Sequence, residues 1–260
     1  MLAPPRDQFI GRCLEVYGEF SPGEWEMLAQ IIKPGLNVVE VGSNIGVHTV
    51  PMARACRPGH LYAYEPQRRI FQILCANLVL NDIDNVVAAP DACGDQRGEA
   101  RIPAYDYQAA GNFGGVSIAP AHTAGELVRV VPLDDLRLLT CGLIKVDVEG
   151  HESQVLIGAA ETIARCRPVL YVENDREPQQ RGLIKLIHGM GYRLYWHTPR
   201  LVGRNNFNGV EGNVFPIVYG SINMLCLPSE RDVPTDLEQI DPLDPRLPRS
   251  LSPERKPVGG

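Results

Sequence analysis

The chain has 260 residues, 44% hydrophobic and 22% charged, with a net charge of −6. That is the composition of an ordinary globular protein with room for one sizeable core. The acidic balance argues against a nucleic-acid backbone or an anionic membrane surface as the main partner. No apolar run approaches the ~20 residues needed to span a bilayer, and Met1–Asp7 has neither a basic nor an apolar leader region. The seven cysteines (Cys13, Cys56, Cys75, Cys93, Cys141, Cys166, Cys226) are dispersed, without a C-x-x-C pair. They read as reduced thiols, so the expected location is cytoplasmic.

Up to about Lys33 the chain reads as helical, with Trp25, Met27, Leu28, Ile31 and Ile32 spaced for one buried face, until Pro34-Gly35 ends the segment. Residues 37–41 are a β-branched run stopping at Gly42, which predicts a buried strand. A helix over 46–57 and a second strand over 60–64 follow. The stripe Ile70, Phe71, Leu74, Leu78 and Val79 predicts a helix over 68–80, and residues 85–90 a third strand. The pattern is then irregular to residue 133, with Gly111, Gly114 and Gly115 in a loop and 127–133 as a further strand. Alternation resumes with a strand at 143–147, a helix over 152–164, a strand at 168–173 and a helix over 179–188. Residues 193–197 and 223–227 supply the last two strands. This alternation predicts an α/β fold, a mostly parallel sheet with helices on both faces. The expected organisation is an N-terminal helical segment (1–34) packing on a core domain (35–227), then a Pro-rich, disordered or loosely draped tail (228–260). The Asn- and Gly-rich stretch 198–221 is expected to cover a substrate.

The chemistry concentrates first in Val39-Glu40-Val41-Gly42-Ser43-Asn44-Ile45-Gly46. A strand turning sharply into a helix brings its backbone close to a ligand, and Gly42 and Gly46 permit that approach. Dinucleotide enzymes use such a turn too, but G-x-G-x-x-G is absent here. Glu40 would repel a pyrophosphate and favour a cationic amino-acid cofactor. Glu65 closes the second strand, where its carboxylate could accept bonds from both hydroxyls of a ribose, each worth roughly 1.5–3 kcal/mol.

Glu40-Val41-Gly42-Ser43-Asn44-Ile45-Gly46 resembles motif I of S-adenosylmethionine (SAM)-dependent methyltransferases, and more closely the FkbM-type branch, in which Asn-Ile-Gly follows the first glycine. Tyr64-Glu65-Pro66 resembles that family's acidic motif after the second strand, and Asp91-Ala92-Cys93-Gly94-Asp95 its third-strand turn. Residues 143–152 are similar to its KxDxEGxE block, through Lys145, Asp147, Glu149, Gly150 and Glu152. The match spans roughly residues 35–175. The resemblance implies a Rossmann-like class I methyltransferase fold, a seven-stranded sheet with an antiparallel last strand. It implies SAM as cofactor and methyl transfer to hydroxyls of sugars or natural products. Gly42, Ser43, Asn44 and Gly46 would cradle the methionine part, Glu65 the ribose, and Asp91 and Ala92 would border the adenine. Glu40, Thr49 and Pro66 complete that set.

A hydroxyl acceptor also needs its proton removed, by a base or through a metal. The candidates are Asp147, His151 and Glu173, at or just beyond strand ends. Asp147 with Glu173-Asn174 resembles the Mg²⁺ site of catechol-type O-methyltransferases, and its oxygen ligands suit a hard cation. Glu at position 173 replaces the usual Asp, and no lysine follows Asp147 at the expected offset. The alternative is that these side chains bind substrate hydroxyls directly. Lys145 should pair with a buried carboxylate, and Glu152 should favour a helix start. Glu149 should face the cofactor, and His48 either touches its methionine end or lies on a helix surface. Tyr195, Trp196 and His197 read as core or as a sugar-stacking cluster. The expected function is O-methylation of a small-molecule or saccharide acceptor, with no nucleic-acid partner and with homo-oligomerisation open. The rivals are an NAD-dependent oxidoreductase and a catalytically silent SAM-binding module.

Overall fold

A computed structural model of the chain describes residues 1–115, 125–176, 179–215, 217, 220–248 and 251. The N-terminal stretch forms two helices, α1 (Ile10–Tyr17) and α2 (Pro22–Ile31). Gly18, at φ +73°, ends the first, and Pro22 fits the opening turn of the second, where its missing N–H costs nothing. Then follow β1 (Val38–Val41), α3 (Thr49–Cys56), β2 (Leu61–Tyr64), α4 (Arg68–Leu80) and β3 (Val86–Ala89). A smaller excursion contains β4 (Ala92–Cys93), β5 (Gly98–Ile102) and β6 (Glu126–Val131). The chain continues through β7 (Leu143–Val146), α5 (Glu152–Ile157), α6 (Ala160–Cys166), β8 (Val169–Glu173), α7 (Gln180–Gly189), β9 (Tyr192–His197) and β10 (Asn223–Pro228).

Seven strands form one sheet in the order β3-β2-β1-β7-β8-β10-β9. The neighbours from β3 to β8 are parallel, and β10 runs antiparallel to both β8 and β9. This is the expected class I methyltransferase-like sheet with its antiparallel last strand. Every residue of β1, β7, β8 and β10 is buried, as a sheet covered on both faces requires. Leu28 and Ile32 join Val38, Leu61, Leu143 and Leu225 in one apolar cluster, so α2 and the residue after it help cover one face. The other face packs Val39, Ile144, Leu170, Ile184 and Cys226. Among the described residues no helix is long and apolar enough to cross a membrane.

Three features differ from expectation. Strand β6 does not join the main sheet; it pairs with β4 and β5 in a separate three-stranded sheet, which Ala92, Ile102 and Val128 give its own apolar centre. The helix expected over 152–164 breaks at Gly158-Ala159. There the backbone presses so close to Gly94 that a Cβ on Gly158 would lie 2.0 Å from its carbonyl oxygen. Residues 229–248, expected to be disordered or loosely draped, are docked on the sheet edge. Trp196 N–H donates to Glu238 O, Ile240 N–H to Leu194 O, and the Trp196 indole N–H to Arg246 O. Ile240, 4% exposed, and Leu237 supply the apolar anchors that the Pro-rich composition conceals. The end of the expected tail, 252–260, lies outside the described residues.

Candidate active site

Strand order reverses between β1 and β7, and the chain leaves these neighbours in opposite directions, which opens a crevice beyond their carboxyl ends. One cavity occupies it. Gly42, Ser43 and Asn44 contribute from the turn after β1, Glu65, Pro66 and Gln67 from β2, and Asp147, Val148 and Glu149 from β7. Glu173, Asp175 and Arg176 enter from β8; Phe20, Glu24 and His48 come from the α2 and α3 entries, and Leu201, Gly220 and Ser221 from the long loop before β10.

The β1 turn is pinched from both sides. Tyr64 O accepts the N–H groups of Gly42 and Ser43, both at 3.0 Å, while Gly42, at φ +86°, lies against the backbone of Asp147. Asn44 follows in the left-handed region at φ +47° and donates its N–H to Glu65 Oε2 at 3.0 Å. Glu65 Oε1 accepts the Gln67 N–H at 2.9 Å. Burial pushes the Glu65 carboxyl up to about 7 against the pull of these bonds. Glu40 is likewise buried and raised to about 7, although Lys145 and the Thr49 hydroxyl, which donates to Oε2 at 2.6 Å, favour its charged form.

At the other end, Lys145 (side chain 3% exposed) reaches Asp147 Oδ2 at 3.1 Å; it pairs with a carboxylate as expected, but one that is 35% exposed and not buried. Burial is the largest influence on Asp147 and opposes its ionisation, but the charge and hydrogen bond of Lys145, together with the hydrogen bond to Glu173, outweigh it and hold the carboxyl below its ordinary value. Glu173 goes the other way: burial, then the charges of Asp147 and Asp175, hold its carboxyl well above the usual range. The two acids are hydrogen-bonded to each other, and their carboxyls are pushed in opposite directions. His48 Nε2 lies 3.6 Å from Glu24 Oε2, and burial lowers the imidazole so that it stays neutral near pH 7.

Of the expected cofactor residues, Glu40, Gly42, Ser43, Asn44, Glu65 and Pro66 line the cavity. Gly46 and Thr49 stand behind it: Gly46 at φ +88° lets Leu74 pack close, and Thr49 holds Glu40. Asp91 and Ala92 do not line it. Asp91 is held by both arms of Arg129, at 2.9 and 2.6 Å, and Ala92 is buried in the small sheet's core. Ile102 occupies cavity wall instead. Asp147 and Glu173 converge as expected, but two partners do not join them. His151 lies outside the cavity lining, half-buried before α5, where the charge acting on it is that of Asp95. Asn174 is turned into the scaffold, its Nδ2 against Met224 Sδ and Gln180 O, and its carbonyl accepting the Gln180 amide. Of the Asp147–Glu173–Asn174 set, only Asp147 and Glu173 line the cavity. Glu152 bonds the Gly150 N–H at 2.9 Å at the start of α5. Tyr195 and Trp196 are core, and His197 Nδ1 bonds the Tyr171 hydroxyl at 2.7 Å.

Glu24 escaped the sequence reading. Ser21-x-x-Glu24 has capping-box spacing, which suggests a helix start and nothing more. In the fold its Oε1 accepts the hydroxyls of Ser21 and Ser221, at 3.0 and 3.1 Å, leaving Oε2 toward His48. Arg176, which spans Glu149 and Asp175, has no local sequence signal either.

The methyltransferase FkbM domain matches residues 40–194, from the first acid of the β1 turn into β9. The chain belongs to this family. A solved FkbM methyltransferase from Methylobacillus flagellatus is similar at 16% identity, covering 78% of this chain and 50% of its own, with a TM-score of 0.48. The chain thus spans about half the length of that relative. A precorrin-8w decarboxylase from Methanobacterium thermoautotrophicum shares the fold at 11% identity, covering 87% and 99% of the two chains, with a TM-score of 0.50. A methyltransferase structure from Streptococcus mutans, in complex with SAH, aligns at 10% identity over 79% and 97% of the chains, with a TM-score of 0.46. No curated protein matches the sequence significantly.

Proposed function

We propose that this FkbM-family protein transfers a methyl group from SAM to a hydroxyl of a saccharide or a glycosylated natural product. The observation that carries the cofactor half is Glu65. Its buried carboxylate is pinned by the N–H groups of Asn44 and Gln67, and each oxygen keeps a further lone pair for a ribose hydroxyl. Two buried acids at the β1 and β2 ends, Glu40 and Glu65, fit a cationic cofactor with a vicinal diol better than a pyrophosphate. Gly42, Ser43 and Asn44 would hold the methionine part, with Glu40 toward its ammonium. When bound, SAM supplies a methyl group on a sulfonium leaving centre.

The chain's own task is to orient the acceptor and manage one proton. Orientation alone contributes several kcal/mol, up to ~7–11 in the best intramolecular cases. Asp147, kept ionised by Lys145, would accept the acceptor hydroxyl's hydrogen bond, and Glu173, kept protonated, would donate to a second oxygen. A weakly basic carboxylate suffices, because the hydroxyl becomes strongly acidic as its oxygen gains the methyl group. Glu24, Glu149, Glu173 and Asp175 surround the acceptor side against the single guanidinium of Arg176. That balance supports a neutral or cationic small molecule over a phosphate-rich polymer. The test is incubation with SAM carrying a deuterated methyl group and a panel of glycosides, read by mass spectrometry. Label on a sugar oxygen supports the proposal; label on nitrogen or carbon overturns its O-transfer half.

A further inference from the structure

Two buried polar side chains of the cavity wall, Glu24 and His48, have no part in the steps above; they are 4% and 8% exposed. Glu24 is held in place but not neutralised. Its Oε1 accepts the hydroxyls of Ser21 and Ser221, while Lys145, whose ammonium feels its charge, is bonded to Asp147. Among the described residues no Lys or Arg forms an ion pair with it. A carboxylate buried in that way is costly to keep. Its Oε2 stands 3.6 Å from His48 Nε2, beyond hydrogen-bond length, and Nε2 has no hydrogen-bond partner among the described residues. The imidazole is neutral near pH 7, and the carboxylate favours the tautomer with its proton on Nε2. The two atoms therefore offer one donor and one acceptor. A single oxygen can lie about 2.8 Å from both, since their 3.6 Å separation is well under twice that length. A hydroxyl fits on both counts: its oxygen accepts from Nε2–H, and its own hydrogen goes to Oε2. An ammonium would oppose the N–H, and a phosphate would oppose the carboxylate. The charges of Lys145 and Asp147 also act on His48, so the pair lies near the acid assigned to the reacting hydroxyl. Glu24, Ser221 and Phe20, whose ring centroid is 6.1 Å from that of His48, all lie outside the family domain at 40–194.

We infer that Glu24 and His48 together hold a hydroxyl of the acceptor other than the one methylated, and so select a polyhydroxylated molecule over one with a single hydroxyl. This rests on the methyl-transfer reading and deepens it. Asp147 takes the reacting hydroxyl, and the Glu24–His48 pair fixes the ring that carries it. Selection then lies with α2 and the loop before β10, which the family domain does not include.

The test takes the full chain saturated with S-adenosylhomocysteine and titrates it with the methyl glycosides of glucose, galactose, mannose and rhamnose. Binding is followed by calorimetry and by the His48 imidazole resonances, assigned through their loss in His48→Asn. At least one glycoside should bind and move those resonances. Glu24→Gln and His48→Asn should each weaken it at least tenfold while S-adenosylhomocysteine affinity stays the same. Monodeoxy analogues of that glycoside identify the contact: one should bind the parent at least tenfold more weakly, yet lose nothing further in His48→Asn. A merely structural role for the pair would weaken every analogue alike, and that result overturns the inference. So does binding that both substitutions leave intact, or no glycoside binding up to about 50 mM, well above the usual KM range of roughly 1 μM–1 mM. If circular dichroism shows Glu24→Gln to be misfolded, His48→Asn decides. Loss of glycoside binding with S-adenosylhomocysteine still bound removes this assignment alone; failure to bind S-adenosylhomocysteine removes the methyltransferase reading and this assignment with it.

Discussion

Gly42 lies so close to Asp147 that a Cβ at position 42 would stand 1.8 Å from the Asp147 carbonyl oxygen. The two residues end neighbouring strands, β1 and β7, and their contact brings the cofactor turn and the acid side of the cavity together. Gly42→Ala combines a backbone clash with a φ of +86°. Each defect costs of order 1–3 kcal/mol, so the loss should exceed about 3 kcal/mol. Gly35 is the control: its φ is +85° but nothing lies within 4 Å of its Cβ position. Gly35→Ala should lose only about 1–2 kcal/mol. Thermal unfolding of the two variants checks this; equal losses would show that the close approach contributes nothing.

Glu65→Ala removes the acceptor of the Asn44 and Gln67 N–H groups and the proposed ribose contact together. Affinity for S-adenosylhomocysteine should fall at least tenfold, about 1.4 kcal/mol. Unchanged affinity would remove Glu65 from the cofactor site.

Glu40 and Glu65 are both raised to about 7 from an ordinary 4.5. The folded, ligand-free protein therefore holds protons there that the unfolded chain has released. Their favourable contribution is complete below about pH 4.5 and is lost as pH rises through 7. The contribution of these two groups to the melting temperature should accordingly decline from pH 5 to 8, and Glu65→Gln should flatten that decline. Cofactor affinity should move oppositely, rising toward pH 8 as the carboxylates ionise, by at most about tenfold per pH unit for each group. A flat binding profile across pH 5.5–8 would contradict these raised values.

Lys145→Met deletes the cation that keeps Asp147 ionised. Removing one partner of a fully buried pair costs about 3–5 kcal/mol. Asp147 is 35% exposed, so water recovers part of that and the loss should be roughly 1–3 kcal/mol. Turnover should fall as well, because Asp147 loses the ammonium that positions it and favours its ionised form. Denaturant unfolding and methyl-transfer rates on the same variant separate the two effects.

What could be read from sequence follows from how far apart the cooperating residues lie. The β1 turn was legible because Glu40, Gly42, Asn44 and Gly46 act within one strand–turn–helix unit, and Lys145 with Asp147 likewise. Glu65 was legible because a strand end has few positions from which a side chain can reach the crevice. Asp91 does not line the cavity although its segment looks like a cofactor turn; Arg129 on β6, 38 residues away, holds its carboxylate. Asn174 likewise lies outside the cavity lining, its Nδ2 directed to Gln180 O at the start of α7. Glu24 meets His48 and Ser221 only because α2 and the loop before β10 fold onto the same edge of the sheet, and no local pattern reports that contact. The tail shows the limit of composition: Leu237 and Ile240 are two apolar residues in a Pro-rich charged run, and with the hydrogen bonds to Leu194 and Trp196 they seat it.

The central claim is that the crevice beyond β1 and β7 holds SAM. Calorimetric titration of the full chain with S-adenosylhomocysteine, with NAD titrated in parallel, tests it most directly. The account predicts one site of micromolar affinity for S-adenosylhomocysteine and no heat from NAD. Binding of NAD instead, or of neither ligand, would contradict it.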